Sequence, residues 1–346
     1  MAKSKGKVKA PVVALIGADT LMGRELQEVV KSRGVEVTIA PYASTGEGNF
    51  GEEDGEAIYR EAFDTPSLNK VQAVLIAGTE AGAMKVLQLA RDAGSATAGS
   101  KPVLIDCTGY LDRQPEAWIV SSLLEQGDAI SKKLLVVAHP AASALSLVLT
   151  RLARRKQIRR VVAHVFEPAS ERGKRGIAEL QQQTTGLLSF KTLQKEVFDD
   201  QLSFNLLAQY GADAPEKLSR IEQRIERHLA ALLDRQSEKT PLPSLRLIQA
   251  PVFHGYSISV WIEFADEVNA TELGEAIASA QIEVRGPEEE TPHGVGATGQ
   301  SGLIAGDIRV DKNDARSAWL WIVGDNLRLT ADVAVEIVAR LGTEQQ

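Results

Sequence analysis

The first clear pattern along the chain is the apolar run Val12-Val13-Ala14-Leu15-Ile16, closed by Gly17. Leu21, Met22, Leu26, Val29 and Val30 follow at helical spacing. A β-branched run, a glycine and an amphipathic helix predict the strand–turn–helix that opens a nucleotide-binding α/β domain. Residues 35–40 read as a second strand, and 42–55 as a Gly/Glu-rich loop or a weak hairpin. Residues 71–77 form another buried-type strand closed by Gly78, and 81–93 a helix stopped by Gly94. Strands over 103–106 and 134–138 extend the alternation, which predicts a doubly wound, Rossmann-type parallel sheet.

Beyond residue 142 the pattern changes. A helix with an apolar stripe is expected over 143–156, a strand over 160–166, and long helices over 177–190 and 216–236. The last carries Leu218, Ile221, Ile225, Leu229, Leu232 and Leu233 on one face. Strands return at 245–249, 257–264 and 318–323, and a helix over 330–341 closes the chain. This half predicts an α+β domain with an antiparallel or mixed sheet, so the fold class is α/β with a second, α+β domain. The glycine-rich stretch 286–302 is expected to be mobile or to form a surface lip.

A chain of 346 residues accommodates two such domains. Lys+Arg 39 against Asp+Glu 46 give a net charge of −7, which argues against a general nucleic-acid binder. One cysteine, Cys107, excludes an intrachain disulfide and a multi-cysteine metal site, and the 5 histidines show no metal-ligand spacing, so no metal is expected. No apolar run is long enough for a membrane span. The lysine-rich start (Lys3, Lys5, Lys7, Lys9) lacks the apolar segment of a signal peptide, so a cytoplasmic protein is expected.

Chemistry is first suggested by the turn Gly17-Ala18-Asp19-Thr20-Leu21-Met22-Gly23. Glycines there let backbone amides approach a pyrophosphate at a helix start. Thr20 fills the middle position and Asp19 brings a carboxylate, so the turn alone leaves open a bound dinucleotide and a turn that has lost its ligand. The cluster Arg151, Arg154, Arg155, Lys156, Arg159 and Arg160 is read as a solvated helix end rather than a phosphate or RNA site. Trp319 and Trp321, two apart on one strand, point to an interface or core role.

With the glycine turn come Ala77-Gly78, Ile105-Asp106, His139-Pro140-Ala141-Ala142-Ser143, Pro251-Val252-Phe253-His254-Gly255-Tyr256-Ser257, Gly306-Asp307-Ile308-Arg309 and Asp325-Asn326-Leu327. In that order and spacing the chain resembles the aspartate-semialdehyde dehydrogenase family over about Val12 to Leu341, and in particular its Usg-like paralogues, which lack the catalytic cysteine. The resemblance implies an NADP-binding domain over residues 8–141, completed by 326–344, and a catalytic and dimerisation-type domain over 142–325. It also implies a homodimer. The implied cofactor contacts are Gly17, Asp19, Thr20, Leu21, Met22, Gly23, Ser44, Gly78 and Asn326.

In that family a cysteine thiolate at a helix start attacks the aldehyde, hydride passes to NADP, and phosphate cleaves the thioester. The matching position here is Ala142, whose methyl group cannot form a thiohemiacetal. Cys107 aligns with a non-catalytic position and is read as packing. The family's acid/base histidine matches Tyr256, with His254 as a possible substitute on the same strand face. The substrate-gripping arginine matches Gln249, and the glutamine that positions the acyl group matches Glu167, whose charge is expected to repel an anionic substrate. Glu216 and Lys217 fall out of register with the family's Glu-x-x-Lys pair, and Asp112 stands where a phosphate-gripping arginine is expected. The cationic stretch Arg172-Gly173-Lys174-Arg175-Gly176 is read as an exposed turn ahead of an anion site.

The resemblance therefore implies a member inactive in the family reaction, kept as a binding or regulatory homodimer. An unidentified protein partner, or a mixed dimer with a true family enzyme, is the extension of that reading. The alternative is an NAD(P)-dependent oxidoreductase acting on an aldehyde or semialdehyde through altered chemistry. The family's 2′-phosphate loop is Pro41-Tyr42-Ala43-Ser44 here, with Ala43 in place of arginine and Glu47, Glu52, Glu53 and Asp54 nearby. Weak NADP binding, with NAD tolerated, is the expectation.

Overall fold

The computed structural model describes residues 10–53, 56–96, 102–121 and 131–343, so the lysine-rich start and Asp54 lie outside the described residues. The chain divides into two compact units. One comprises the chain up to Val120, the stretch ending at Val137 and the chain from Ala331; the other is essentially Ala138–Thr330.

The first unit runs β1 (Val12–Ile16), α1 (Leu21–Ser32), β2 (Thr38–Tyr42), β3 (Asn49–Glu53), β4 (Glu56–Arg60), α2 (Thr65–Leu68), β5 (Ala73–Ile76), α3 (Glu80–Ala96), β6 (Val103–Asp106), β7 (Ala117–Val120) and β8 (Leu134–Val137). Its main sheet has the order β2-β1-β5-β6-β8-β7, with every pair parallel. The strands are continuous apolar runs because helices cover both faces of such a sheet. Leu15, Leu75, Ile105 and Leu135 form its core with Leu26 and Val29 of α1 and Ala334 and Ile337 near the C-terminus.

Two boundaries differ from the sequence expectation for local reasons. The second strand starts at Thr38, not 35, because the Val35 amide bonds back to the Val30 carbonyl (3.1 Å) and finishes the end of α1. Pro41 is tolerated in β2 because that strand lies at the sheet edge. The loop-or-hairpin stretch is a hairpin, with β3 and β4 pairing antiparallel. β7 was not anticipated: it is four residues long, follows a run of turns and also lies at an edge.

The second unit runs α4 (Pro140–Ala153), β9 (Ile158–Glu167), a short 3-10 turn (Ala169–Arg172), α5 (Gly173–Leu188), α6 (Leu218–Leu233), β10 (Ser244–Gln249), β11 (Tyr256–Phe264), α7 (Ala270–Ile277), β12 (Ile282–Val284), α8 (Gly294–Ala297), β13 (Leu303–Asp311), β14 (Asp314–Gly324) and the start of α9 (Asn326–Thr343). Its mixed sheet has the order β10-β9-β11-β14-β13-β12. α4 is apolar almost all round and buried along nearly its whole length, as a central core helix must be. Most of the predicted stripe of α6 (Leu218, Ile221, Ile225, Leu229 and Leu233) enters the same core, with the helix packed against α4 and β10.

The 286–302 stretch contains α8, and β13 begins directly after it. β13 escaped prediction because Gly306 and Asp307 interrupt its apolar alternation. There Asp307 adopts a positive φ of 45° and the register with β14 shifts.

Candidate functional site

In the first unit, the chain leaves β1 through Gly17, whose φ of 86° suits glycine; a Cβ there would lie 2.7 Å from the Gly78 Cα. A Cβ on Gly23 would lie 2.0 Å from the Gly17 carbonyl oxygen. Thr20, which the sequence reading took as a departure, is the N-cap of α1: its Oγ1 accepts from the Gly23 amide (2.9 Å). Its hydroxyl faces the carbonyls of Gly17 (2.8 Å) and Ala77 (2.9 Å), tying the turn to the end of β5. The first-turn amides of Leu21 and Met22 have no intrahelical acceptor, as at any helix start. The cradle therefore fits a pyrophosphate, because its glycines leave open the space that side chains would fill.

The Ser44 carbonyl accepts from the Thr79 amide (2.9 Å), and a Cβ on Gly78 would lie 2.2 Å from it. Ala43 is fully buried. Cys107 is half-buried against this unit's core; burial and then Asp106 push its thiol well above the ordinary range, so it is no thiolate at neutral pH.

In the second unit, a buried polar cluster surrounds the start of α4. His139 is the N-cap, its Nδ1 accepting from the Ala141 amide (3.3 Å), and Ala142, two residues into the helix beyond Pro140, is fully buried. Because Nδ1 accepts, the neutral ring carries its proton on Nε2, which lies 3.3 Å from the Tyr256 hydroxyl. Tyr256 donates to Glu167 Oε2 (3.2 Å). Glu167 Oε1 takes the Arg172 guanidinium (3.0 Å), and Arg172 also pairs with Glu216. Tyr210 donates to Gln249 Oε1 (2.6 Å), and Gln249 Nε2 donates to the Glu167 carbonyl (2.8 Å). The His139 amide donates to His228 Nδ1 (2.9 Å) on α6.

Burial sets the protonation of this cluster. It raises the Glu167 carboxyl from 4.5 to about 7, with Arg172 pulling the other way, and it also raises Glu171. Burial, then the Glu167 charge, holds the Tyr256 phenol well above its ordinary range. Burial and the positive field of His228 and nearby arginines hold His139 well below 6.5, so its ring is neutral at pH 7. For Arg172 burial works against the charge, but Glu167 and Glu216 outweigh it and keep the guanidinium cationic.

A family model described as "Semialdehyde dehydrogenase, dimerisation domain" matches residues 149–329. The chain belongs to the semialdehyde dehydrogenase family. A USG-1 protein homolog of Pseudomonas aeruginosa is 33% identical over 242 residues, 69% of this chain and 71% of that protein. A USG-1 protein homolog of Azotobacter vinelandii is 28% identical over 325 residues, covering 91% and 93%. A solved structure described as a probable aspartate-semialdehyde dehydrogenase from Pseudomonas aeruginosa superposes with a TM-score of 0.81 at 29% identity, covering 97% of this chain and 100% of that one. The protein is thus a Usg-like member of the aspartate-semialdehyde dehydrogenase family.

Three expectations for this Usg-like chain change with the geometry. Glu167 is not a bare negative charge, since Arg172 neutralises it. The stretch from Arg172 is only partly exposed: Lys174 and Arg175 are exposed in the first turn of α5, but the Arg172 side chain is only 10% exposed and its charge is held between two carboxylates. His254 does not share the Tyr256 face, because it precedes β11 and Gly255 turns between them with a φ of 83°. None of the hydrogen bonds within the cluster runs to His254.

The structure brings Glu167, Gln249 and Tyr256 together near the start of α4, while Lys217 turns its ammonium to the carbonyls of Gly211 and Ala212. Asn326 is fully buried: its side-chain oxygen accepts from Ser170 (3.1 Å) and the Gly255 amide (3.2 Å), and its NH2 donates to Glu171 (2.9 Å). His139, Arg172 and Tyr210 were missed as members of the cluster. His139 stood in the helix-start motif itself; nothing in the sequence marks Tyr210.

Chemically, the cluster holds two phenols that stay protonated, an imidazole whose proton faces a hydroxyl, and an arginine already occupied by carboxylates. It contains no thiolate and no base aimed at a nucleophile. Among the described residues no group of three or more His, Cys, Asp or Glu is arranged to hold a metal ion, and no helix is long and apolar enough to cross a membrane.

Proposed function

We propose that this protein does not run the family reaction and acts as a binding or regulatory homodimer. The observation that carries the reading is Ala142, a buried methyl group at the start of α4 where the family resemblance calls for the nucleophile. The Tyr256–Glu167–Arg172 network supports it, since the Tyr256 hydroxyl, the Glu167 carboxylate and both terminal nitrogens of Arg172 already have protein partners. The test uses tag-free protein from a host lacking its own dehydrogenase, supplied with aspartate semialdehyde, NADP and phosphate. No reduced nicotinamide above the buffer rate is expected; sustained turnover overturns the reading.

The homodimer is supported by the second sheet's other face. Ile258, Val260 and Ile262 enter the core, while the alternate positions present Trp261, with Trp319 and Trp321 on β14 and Phe166 on β9, all half-buried. The three indole N–H groups are anchored, those of Trp261 and Trp319 to Asp311 and that of Trp321 to the Pro292 carbonyl, so the aromatic positions are ordered, with Ser257, Ser259 and His164 between them. A second copy, a mixed dimer with a true family enzyme or another protein partner would cover it. We place the protein in the cytoplasm and give the glycine turn a retained dinucleotide as its ligand. The alternative oxidoreductase, working through Tyr256 or His254, has less support: Tyr256 is locked as a donor to Glu167, and His254 stands outside the cluster.

A further inference from the structure

The second strand of a dinucleotide fold ends where the adenosine ribose is read, and a cation there accommodates a 2′-phosphate. In this chain β2 ends at Tyr42, and Ala43 is buried, so the loop itself offers no such cation. The loop is, however, built directly onto the start of α3. The Ser44 carbonyl accepts from the Thr79 amide (2.9 Å) and hydroxyl (3.2 Å). Cβ atoms on Gly78 and Gly82 would lie 2.2 Å and 2.3 Å from that same oxygen, so two glycines create the close approach.

One turn beyond Gly82, on the same helix face, stands Lys85. Its Nζ donates to the Gly46 carbonyl (2.7 Å), and its Cδ lies 3.0 Å from the position a Gly46 Cβ would take. Gly46 has a φ of 73°, and its carbonyl is also bound by the Phe63 amide (3.1 Å). The ammonium is thereby held at the Gly46 carbonyl, two residues along the loop from Ser44, and one bond to a carbonyl leaves further N–H donors on it. The acids nearest in the chain, Glu47 of the loop and Glu80 at the start of α3, are both exposed.

We propose that Lys85 reads the 2′-phosphate of a bound nucleotide, so that the first unit prefers NADP to NAD without an arginine in the loop. The cation comes from α3 instead of from the strand-following loop. The assignment rests on the reading that the glycine turn retains a dinucleotide.

Calorimetric titration of the full chain with NADP and with NAD tests it, on the wild type, Lys85→Gln and Lys85→Arg. The wild type is expected to favour NADP by about tenfold or more. Lys85→Gln should lose about tenfold to a hundredfold in NADP affinity while NAD changes by less than about twofold, the size expected for one charge-assisted bond to phosphate. Lys85→Arg should retain the preference. If the lysine only clamps the loop through Gly46, Lys85→Gln weakens both nucleotides alike, and the assignment is overturned. Equal wild-type affinities for the two nucleotides overturn it as well, while leaving the retained-dinucleotide reading intact. Failure of both nucleotides to bind the wild type overturns both readings.

Discussion

Glu167→Gln separates the buried carboxyl from every other titrating group in its cluster. The Glu167 carboxyl is raised by burial to about 7 from 4.5, against the pull of Arg172. Between those values the folded chain holds a proton that the unfolded chain has released, so this group makes stability fall as pH rises and leaves it level above about 7. At about 1.4 kcal/mol per pH unit, the interval amounts to about 3 kcal/mol. His139 acts in the opposite sense. Its pKa is held well below 6.5 in the folded chain, so its contribution is present above that pH and is lost as pH falls below it.

The wild-type profile therefore mixes two opposing slopes, and the difference between variant and wild type isolates Glu167. Glutamine keeps the volume and one acceptor oxygen, which can serve Arg172 or Tyr256 but not both, a loss that does not vary with pH. Urea unfolding followed by tryptophan emission reports mainly on the second unit, which holds Trp261, Trp319 and Trp321. The variant should gain on the wild type by about 3 kcal/mol as pH rises from about 4.5 to about 7, and by no more above that. A stability difference that stays constant from about pH 5 to about pH 8 refutes the reasoning.

Arg172→Met leaves the Glu167 carboxylate buried without its cation and should cost about 3–5 kcal/mol in urea unfolding at neutral pH; adding Glu167→Gln should restore most of that loss. Gly17→Ala places a Cβ 2.7 Å from the Gly78 backbone at a φ of 86°, so it should destabilise the first unit by about 1–3 kcal/mol and abolish the heat of dinucleotide binding. Trp319→Asp puts a charge on the tryptophan-bearing sheet face, and light scattering should show the homodimer shifted to monomer with unchanged far-ultraviolet circular dichroism; an unmoved dimer places the interface elsewhere.

What the sequence discloses follows the range of the interactions involved. The strand–glycine–helix opening is local, so β1, Gly17 and α1 could be read directly, and Ala142 was legible because its motif is five consecutive residues. Thr20 was misread although its cap bond to the Gly23 amide is local; only its tie to the Ala77 carbonyl, at the end of another strand, lies beyond the reach of the sequence. Arg172 looked like part of an exposed cationic turn because its partners are not all neighbours. Glu167 is five residues away, but Glu216 reaches it only once α6 is packed. β13 was hidden by Gly306 and Asp307, which a strand tolerates only at the shift in its register with β14. Lys85 carried no signal at all, since its meaning comes from the loop that α3 supports.

On the proposed reading, Glu167 and Arg172 explain how a site could lose its chemistry while the fold is kept. A lone buried glutamate in place of a neutral residue would leave an uncompensated charge, which a marginally stable domain tolerates poorly. Arg172 stands on the 3-10 turn directly after β9, close enough to neutralise it and to engage Glu216 as well. On the proposed reading the same pairing disfavours anions, because an incoming carboxylate or phosphate meets a guanidinium whose two terminal nitrogens are already engaged by Glu167 and Glu216. Restoring a thiol at Ala142 would leave that competition untouched, so on this reading substrate access turns on Glu167 as much as on Ala142.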